Sequence, residues 1–142
     1  MRSLLVLPVV AGAALWWLRG RYLLVTVRGD SMMPALRPDT RVLARLGGRY
    51  RTGSVVVFRR ESEFVQLMVK RVAARAGEPV PADCRAAVPD AVVPPGHLLV
   101  RGDNPGSSDS RTFGYVRESA VLGTVRAGTL RGRDRQDADV TR

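Results

Sequence analysis

Downstream of residue 21, short runs of apolar and β-branched residues alternate with glycine and proline, and no long stretch carries a helical period. A chain interrupted this often buries a core most readily by pairing short strands. The candidate strands cover residues 23–28, 41–46, 54–59, 64–74, 97–101 and 120–125. Between residues 78 and 96, five prolines disfavour regular strand pairing. The pattern predicts a mainly β fold, an antiparallel sheet or partial barrel, within one small domain.

The N-terminal segment, residues 3–18, is apolar throughout. As a helix it spans about 24 Å, which is short of the ~30 Å hydrocarbon core of a bilayer. A cleavable signal peptide is the alternative, since residues 11–13 form an A-x-A site. Trp16 and Trp17 follow that site as interfacial anchors, and residues 22–25 can extend the span. These features favour a retained anchor over cleavage.

The sequence therefore predicts three parts: a membrane anchor in residues 1–21, a folded domain in 22–130, and a polar, disordered tail in 131–142 that lacks aromatic residues. The orientation of the anchor is harder to assign. The positive-inside rule would place Arg19 and Arg21 in the cytoplasm, which conflicts with an external C-terminal domain.

The formal net charge of +10 suits either nucleic acid or an anionic membrane surface. The arginines are spread from Arg2 to Arg142 without a long run, and few aromatic residues lie among them. This distribution matches a base-stacking groove poorly, so we expect membrane lipids and no nucleic acid as partners. Cys84 is the single cysteine and His97 the single histidine. We therefore expect no disulfide framework, no metal and no cofactor.

A candidate nucleophile, Ser31, lies just after the first predicted strand. Gly29 permits an unusual backbone angle and Pro34 fixes φ beyond the serine, so the hydroxyl can be held at a sharp strand exit. A serine hydroxyl is a weak nucleophile until a base takes its proton. Without such a base, Ser31 would be an ordinary turn residue.

Two residues are candidates for that base. His97 follows a tight Pro-Pro-Gly turn, where an exposed position at a strand entry is the simpler interpretation. Lys70 is the only lysine beside 22 arginines, and lysine, unlike arginine, can lose its proton when it is buried. Residues 64–69 before it are mainly apolar, and Met32 and Met33 are candidates to cover the ammonium group. Burial there would lower the lysine pKa toward neutrality.

A third segment, residues 102–111, is dense in Gly, Asn, Asp and Ser and is predicted to be a loop. Its short hydrogen-bonding side chains can orient a lysine amine without charging it. Asp109 and Arg111 are candidates to pair and brace the loop, although an exposed ion pair contributes only about 0 to 1 kcal/mol.

Four segments, in order, resemble the sequence boxes of the type I signal peptidase family of Ser/Lys proteases. Residues 31–36 (SMMPAL) resemble the box SMxPTL, and residues 53–59 (GSVVVFR) resemble the strand GDIVVF. Residues 70–78 (KRVAARAGE) resemble KRVxGxPGD, and residues 102–114 (GDNPGSSDSRTFG) resemble GDNxxxSxDSRxxG. Their shared order and spacing, over about residues 25–125, argue against chance agreement.

The resemblance makes Ser31 the nucleophile and Lys70 the general base, and the backbone N–H of Ser31 an oxyanion donor. The serine that orients the lysine falls on Ser107, with Ser108 as the alternative because this loop is one residue shorter than the common form. Some members place a second oxyanion donor, a serine hydroxyl, where this chain has Gly29. The polar residues left to support the loop are Asp103, Asn104, Asp109 and Arg111.

The resemblance also implies a signal-peptidase-type catalytic domain preceded by one transmembrane helix. The implied function is a membrane-bound serine endopeptidase that cleaves signal or leader peptides from secreted preproteins, with small residues at the first and third positions before the cut. In that family the domain faces outward from the cell membrane and lies against it. The apolar candidates for that contact are Leu23, Leu24, Met32 and Met33.

Two alternatives stay open. A self-cleaving repressor shares the Ser/Lys dyad, but it would carry a helical DNA-binding domain where this chain has an apolar segment. A non-catalytic basic membrane protein, which binds preproteins or nucleic acid, would tolerate substitutions at Ser31 and Lys70.

Overall fold

The computed structural model describes residues 6–61 and 65–126. It begins with helix α1, Val6–Arg19, and no helix within the described residues has the length and apolar character needed to cross a membrane. The predicted transmembrane helix is therefore not confirmed. Residues 1–5 of the predicted anchor and the predicted tail at 131–142 lie outside the described residues.

After α1 the chain forms one seven-stranded sheet. The strands are β1 (Tyr22–Thr26), β2 (Arg41–Leu46), β3 (Val55–Glu61), β4 (Val65–Arg75), β5 (His97–Arg101), β6 (Val116–Arg117) and β7 (Val121–Val125). Their order across the sheet is β1-β2-β7-β3-β4-β5-β6, and every neighbouring pair is antiparallel. The prediction of a mainly β, antiparallel fold is confirmed.

The predicted strands at 41–46 and 97–101 agree with β2 and β5, and the other four differ at their ends by one or two residues. The short elements that were not predicted include β6, the four-residue helix α2, Ser110–Phe113, and two three-residue 3-10 helices, Ala82–Cys84 and Glu118–Ala120. Helix α2 begins where the Asp109 carboxylate accepts the Arg111 N–H, which satisfies a backbone donor at the helix start.

Strand β3 runs through the middle of the sheet, and its alternate side chains serve two different cores. Val57 packs into a first cluster, whereas Val56 and Phe58 pack into a second one, as the two-residue period of a strand requires. The first cluster comprises Val25, Val27, Met32, Leu36, Val42, Ala44, Val57 and Val69. The second comprises Val56, Phe58, Val72, Leu98, Val100 and Val116. The first cluster therefore surrounds the turn that carries Ser31.

The proline-rich connector packs as a loop, in keeping with the expectation from its prolines. Within the described residues its strand-like pairing is limited to a bridge between Pro79 and Val92. Its apolar side chains form a third cluster against β4 and β5, made of Ala74, Val80, Cys84, Val88, Val93 and Leu99. This packing fixes the second half of β4, directly after Lys70.

Candidate active site

The predicted nucleophile, Ser31, lies in a tight turn after β1. Gly29 has a positive φ of 74°, a conformation that a side chain would strain. The Met33 N–H then donates to the Asp30 carbonyl at 2.9 Å, which closes the turn around the serine. Met32 is fully buried in the first core cluster, while Ser31 stays half-buried. The buried neighbour anchors the turn and leaves the hydroxyl at the surface of a cleft.

The predicted base, Lys70, lies on β4 opposite Val56 and is 2% exposed. A buried ammonium group loses the hydration that stabilises its charge. Burial accordingly lowers the pKa of Lys70 below its ordinary value, against the opposing effects of Asp109 and Asp30 and with a further lowering by Arg111. The environment of Lys70 therefore makes its ammonium group easier to deprotonate than that of an exposed lysine.

Ser31 and Lys70 line the same cleft, which has a volume of about 660 Å³ and lies between the end of β1 and the first half of β4. The other described residues of its lining are Leu24, Val25, Thr26, Val27, Arg28, Gln66, Leu67, Met68 and Val69. Apart from Lys70 and Arg28, these side chains are neutral and mostly apolar. A cleft in which apolar side chains surround a few converging polar groups is the usual form of a binding site.

Ser107 provides the polar contact of Lys70. The Lys70 Nζ donates to the Ser107 Oγ at 3.3 Å, and that hydroxyl donates to the Asp109 Oδ2 at 2.9 Å. Because a carboxylate only accepts, the hydroxyl proton of Ser107 must point to Asp109, which leaves the serine oxygen to accept from the lysine. Ser108 is exposed. Between the two serines left open by the sequence, the structure brings Ser107 to the lysine.

Asp109 holds this network in place. Its side chain is fully buried and pairs with Arg111 through contacts of 2.8 and 2.6 Å. The Gly102 N–H donates to its Oδ2 at 2.8 Å. Burial alone would raise the pKa of the Asp109 carboxyl, but the hydrogen bonds from Arg111, Gly102 and Ser107 outweigh burial and hold that pKa well below its ordinary value. Asp109 is fully buried and Arg111 is 24% exposed, so the pair is part-buried rather than exposed as considered from the sequence.

The loop between β5 and α2 contacts both the strand that carries Lys70 and the turn that carries Ser31. Arg71 donates to the two carboxylate oxygens of Asp103 at 2.8 and 2.7 Å, which ties the loop to β4. Asn104 contacts the backbone on both sides of Ser31, with its N–H 3.1 Å from the Ser31 carbonyl oxygen. The predicted loop-supporting residues thus lie together beside the cleft.

Gly102 has a role that the sequence did not reveal. A Cβ at this position would overlap the Ser107 hydroxyl and lie 2.5 Å from the Ser31 carbonyl oxygen. Only glycine lets the loop approach the serine turn this closely. Gly102 was visible in the sequence as the first residue of the segment 102–114. The reason for a glycine there was not visible, because the contact joins residues far apart in the chain.

His97 begins strand β5 and is half-buried, which agrees with the strand-entry interpretation, whereas Met32 departs from one use considered for it. The His97 Nδ1 lies 3.0 Å from the Pro95 carbonyl oxygen, and its ring packs on Tyr115 with 5.5 Å between centroids. It is not among the described residues of the cleft lining. Met32 is wrong as a candidate for a membrane-facing surface, because it is fully buried in the core, whereas Leu24 and Met33 are exposed.

Among the described residues, no group of three or more His, Cys, Asp or Glu side chains is placed to hold a metal ion. Cys84 is buried in the third cluster, and burial raises the pKa of its thiol. A raised pKa keeps a thiol protonated and inert. The cleft itself presents the Ser31 hydroxyl and the Lys70 amine.

Comparison with known proteins connects this site to a family. Mitochondrial inner membrane protease subunit 2 of Schizosaccharomyces pombe is 33% identical over 111 residues, which cover 70% of this chain and 60% of that protein. Subunit 1 from the same organism is 34% identical over 104 residues, which cover 68% and 66%. The chain thus spans less than two thirds of the length of each relative.

A signal peptidase I structure from Enterococcus faecalis V583 matches with 21% identity and a TM-score of 0.46, and the match covers 56% of this chain and 98% of that chain. The family model described as signal peptidase, peptidase S26, matches residues 1–86 and 81–129. Because those ranges include most of the 142 residues, the chain belongs to the signal peptidase family, peptidase S26.

Proposed function

We propose that this chain is a membrane-bound serine endopeptidase that removes signal or leader peptides from secreted preproteins, with Ser31 as nucleophile and Lys70 as general base. One observation carries the proposal: Lys70 is 2% exposed, its pKa is lowered by burial, and it lines the same cleft as Ser31. A lysine that is neutral near physiological pH can accept a proton, which the 22 arginines cannot do.

The network around Lys70 suits that role. A neutral lysine amine carries two N–H bonds and one lone pair. The contact to Ser107 at 3.3 Å occupies an N–H, since Ser107 directs its own proton to Asp109. The lone pair is then free to face the cleft, where Ser31 lies.

The proposed reaction is acyl transfer through an ester on Ser31. Neutral Lys70 takes the hydroxyl proton as the Ser31 oxygen adds to the scissile carbonyl carbon, and the Ser31 N–H donates to the resulting oxyanion. The Lys70 ammonium then protonates the departing amine, which breaks the peptide bond. Neutral again, Lys70 takes a proton from water, which attacks the ester carbon, and then gives that proton to the departing Ser31 oxygen, which releases the new carboxyl end and restores the serine hydroxyl.

The cleft is suited to an extended peptide. Strand β1 is an edge of the sheet, and the first half of β4 pairs with β3 on one side while β5 pairs with β4 only from Arg71 to Arg75. Strand edges of this kind bind extended peptides by main-chain hydrogen bonds. In such a peptide the first and third residues before the cut point to the same side. Small side chains at both positions would let the peptide approach the cleft wall.

We further propose that residues 1–21 anchor the chain once in the cell membrane, with the domain of residues 22–130 on the extracytoplasmic side. Exposed Trp16 and Trp17 on α1, and exposed Leu24 and Leu67 beside the cleft, support contact with lipid. The two relatives carry the words inner membrane protease in their names, which supports the same environment for this chain.

The experiment uses the purified full chain in detergent with a leader-peptide substrate. We expect cleavage by the wild type, loss of cleavage in Ser31→Ala and in Lys70→Arg while both variants keep the wild-type far-UV circular dichroism spectrum, and full activity in the control Ser108→Ala. Wild-type activity in Lys70→Arg would contradict the mechanism, because arginine cannot serve as the base. Binding without cleavage by the wild type would favour the non-catalytic alternative.

A further inference from the structure

Asn104 clamps the backbone on both sides of Ser31. Its side-chain Nδ2 donates to the Asp30 carbonyl oxygen at 3.3 Å, and its backbone N–H donates to the Ser31 carbonyl oxygen at 3.1 Å. One residue, more than seventy positions further along the chain, therefore fixes the two peptide groups that meet at the proposed nucleophile.

The orientation of the Asn104 amide is itself determined. The Gly106 N–H donates to the Asn104 Oδ1 at 3.0 Å, so the oxygen must face Gly106 and the nitrogen must face Asp30. The Ser107 N–H donates to the Asn104 carbonyl at 3.0 Å. Together with the ion pair of the preceding Asp103, these contacts hold Asn104 on a rigid loop.

The contact with Asp30 has a consequence for catalysis because of peptide geometry. The Asp30 carbonyl and the Ser31 N–H are the two ends of one planar peptide group, and this peptide is trans. The Asp30 carbonyl oxygen accepts from the Met33 N–H at 2.9 Å and, from outside the turn, from the Asn104 Nδ2 at 3.3 Å. Asn104 is thus the second donor that sets the direction of this carbonyl and, with it, the direction of the Ser31 N–H. A hydrogen bond to the carbonyl also polarises the group and strengthens its N–H as a donor.

We propose that Asn104 is a positioning residue for the oxyanion site: it aims the Ser31 N–H at the oxygen that becomes negative during attack. The inference rests on the proposed function. It is most consequential in this chain, where Gly29 provides no side-chain donor at the position that carries a serine hydroxyl in some family members.

The test compares Asn104→Ala and Asn104→Asp with the exposed loop control Ser108→Ala. Asp keeps an acceptor for Gly106 but removes the donor to Asp30, so this variant carries the test if Ala fails to fold. Alongside cleavage kinetics, the assay measures inhibition by a substrate-like peptide aldehyde and by the matching peptide alcohol. The Ser31 oxygen adds to the aldehyde carbon and the serine proton passes to Lys70, which places an oxyanion where the reaction intermediate has one.

We expect the Asn104 variants to lose about 10- to 100-fold in kcat, by comparison with the 10²–10³-fold cost of removing an oxyanion donor outright. The aldehyde Ki should rise by the same factor, while KM and the alcohol Ki stay unchanged. For Asn104→Ala the ascending limb of the pH–rate profile should not move, and Ser108→Ala should match the wild type.

Three results would overturn the inference: wild-type kcat in Asn104→Asp, a kcat loss with no change in the aldehyde Ki, or a kcat loss explained entirely by a shifted pH limb, which would place the effect on Lys70. Failure of the proposed function gives a different result. In that case the wild type does not cleave, or Ser31→Ala still does.

Discussion

Replacing Asp109 by Asn should destabilise the domain more than any surface change in the same region. The Asp109 Oδ1 accepts from the backbone N–H and the Nε of Arg111, and its Oδ2 accepts from Gly102, Ser107 and the Nη2 of Arg111. An amide turns one of these oxygens into a donor, so two or three contacts become donor against donor. Arg111 is also left without its counter-ion.

The magnitude follows from burial. Asp109 is 0% exposed and Arg111 is 24% exposed, so the loss should lie toward the lower end of the about 3–5 kcal/mol that removing one partner of a fully buried, hydrogen-bonded ion pair costs. For a domain of this size the melting temperature should then fall by about 10–20 °C. The matched control is Asp83→Asn, which breaks an ion pair with Arg101 whose side chains are 44% and 39% exposed. That change should cost about 0–1 kcal/mol.

The stabilisation should also depend on pH in a defined direction. Folding lowers the pKa of Asp109, so its contribution is fully present above the unfolded value of about 3.9 and is lost as pH falls below it. Thermal melts at pH 7 and across pH 5 to 2 test this. The gap between wild type and Asp109→Asn should close on acidification. Equal melting temperatures at pH 7, or a gap that widens in acid, would refute the reasoning.

Three further predictions concern the base, its partner and the serine turn. The kcat/KM of the wild type should rise with pH along a limb well below the ordinary lysine pKa of about 10.4; a limb near that value would show that Lys70 is not tuned by burial. Ser107→Ala should lower kcat by about 10-fold or more while Ser108→Ala does not, because a misplaced base loses much of the 10²–10⁴-fold gain that proton transfer provides; equal kinetics of the two variants would contradict the assigned contact. Met32→Ala should cost about 2–5 kcal/mol by denaturant unfolding, and Met33→Ala, at an exposed position, about 0.5 kcal/mol or less; similar losses would contradict the packing of the turn.

Much of the fold was predictable because short runs of apolar and β-branched residues are separated by glycines and prolines. The bounds of β2 and β5 agree with the sequence pattern. Strand β6 and helix α2 were not predictable, because two- and four-residue elements have no period to detect. They form because Val116 packs against Leu98 and Val100 in the second cluster and because Asp109 caps the helix.

The site was predictable in its residues but not in its contacts. A lone lysine among arginines and a serine after a strand can be recognised in a sequence. Which of two adjacent methionines is buried depends on the turn that Gly29 and Asp30 form. The contacts of Asn104 with the Ser31 turn and of Arg71 with Asp103 join distant segments through the strand register. No local pattern contains that register.

The most direct test of the central claim is to trap the acyl-enzyme. A leader-peptide ester is mixed with the purified protein, the reaction is quenched in acid, and the modified residue is located by mass spectrometry of peptide fragments. We expect an ester-linked acyl group on Ser31 in the wild type, and none in Lys70→Arg or Ser31→Ala. An acyl group on another residue, or acylation of Ser31 in Lys70→Arg at the wild-type rate, would contradict the assignment of Ser31 as nucleophile and Lys70 as base.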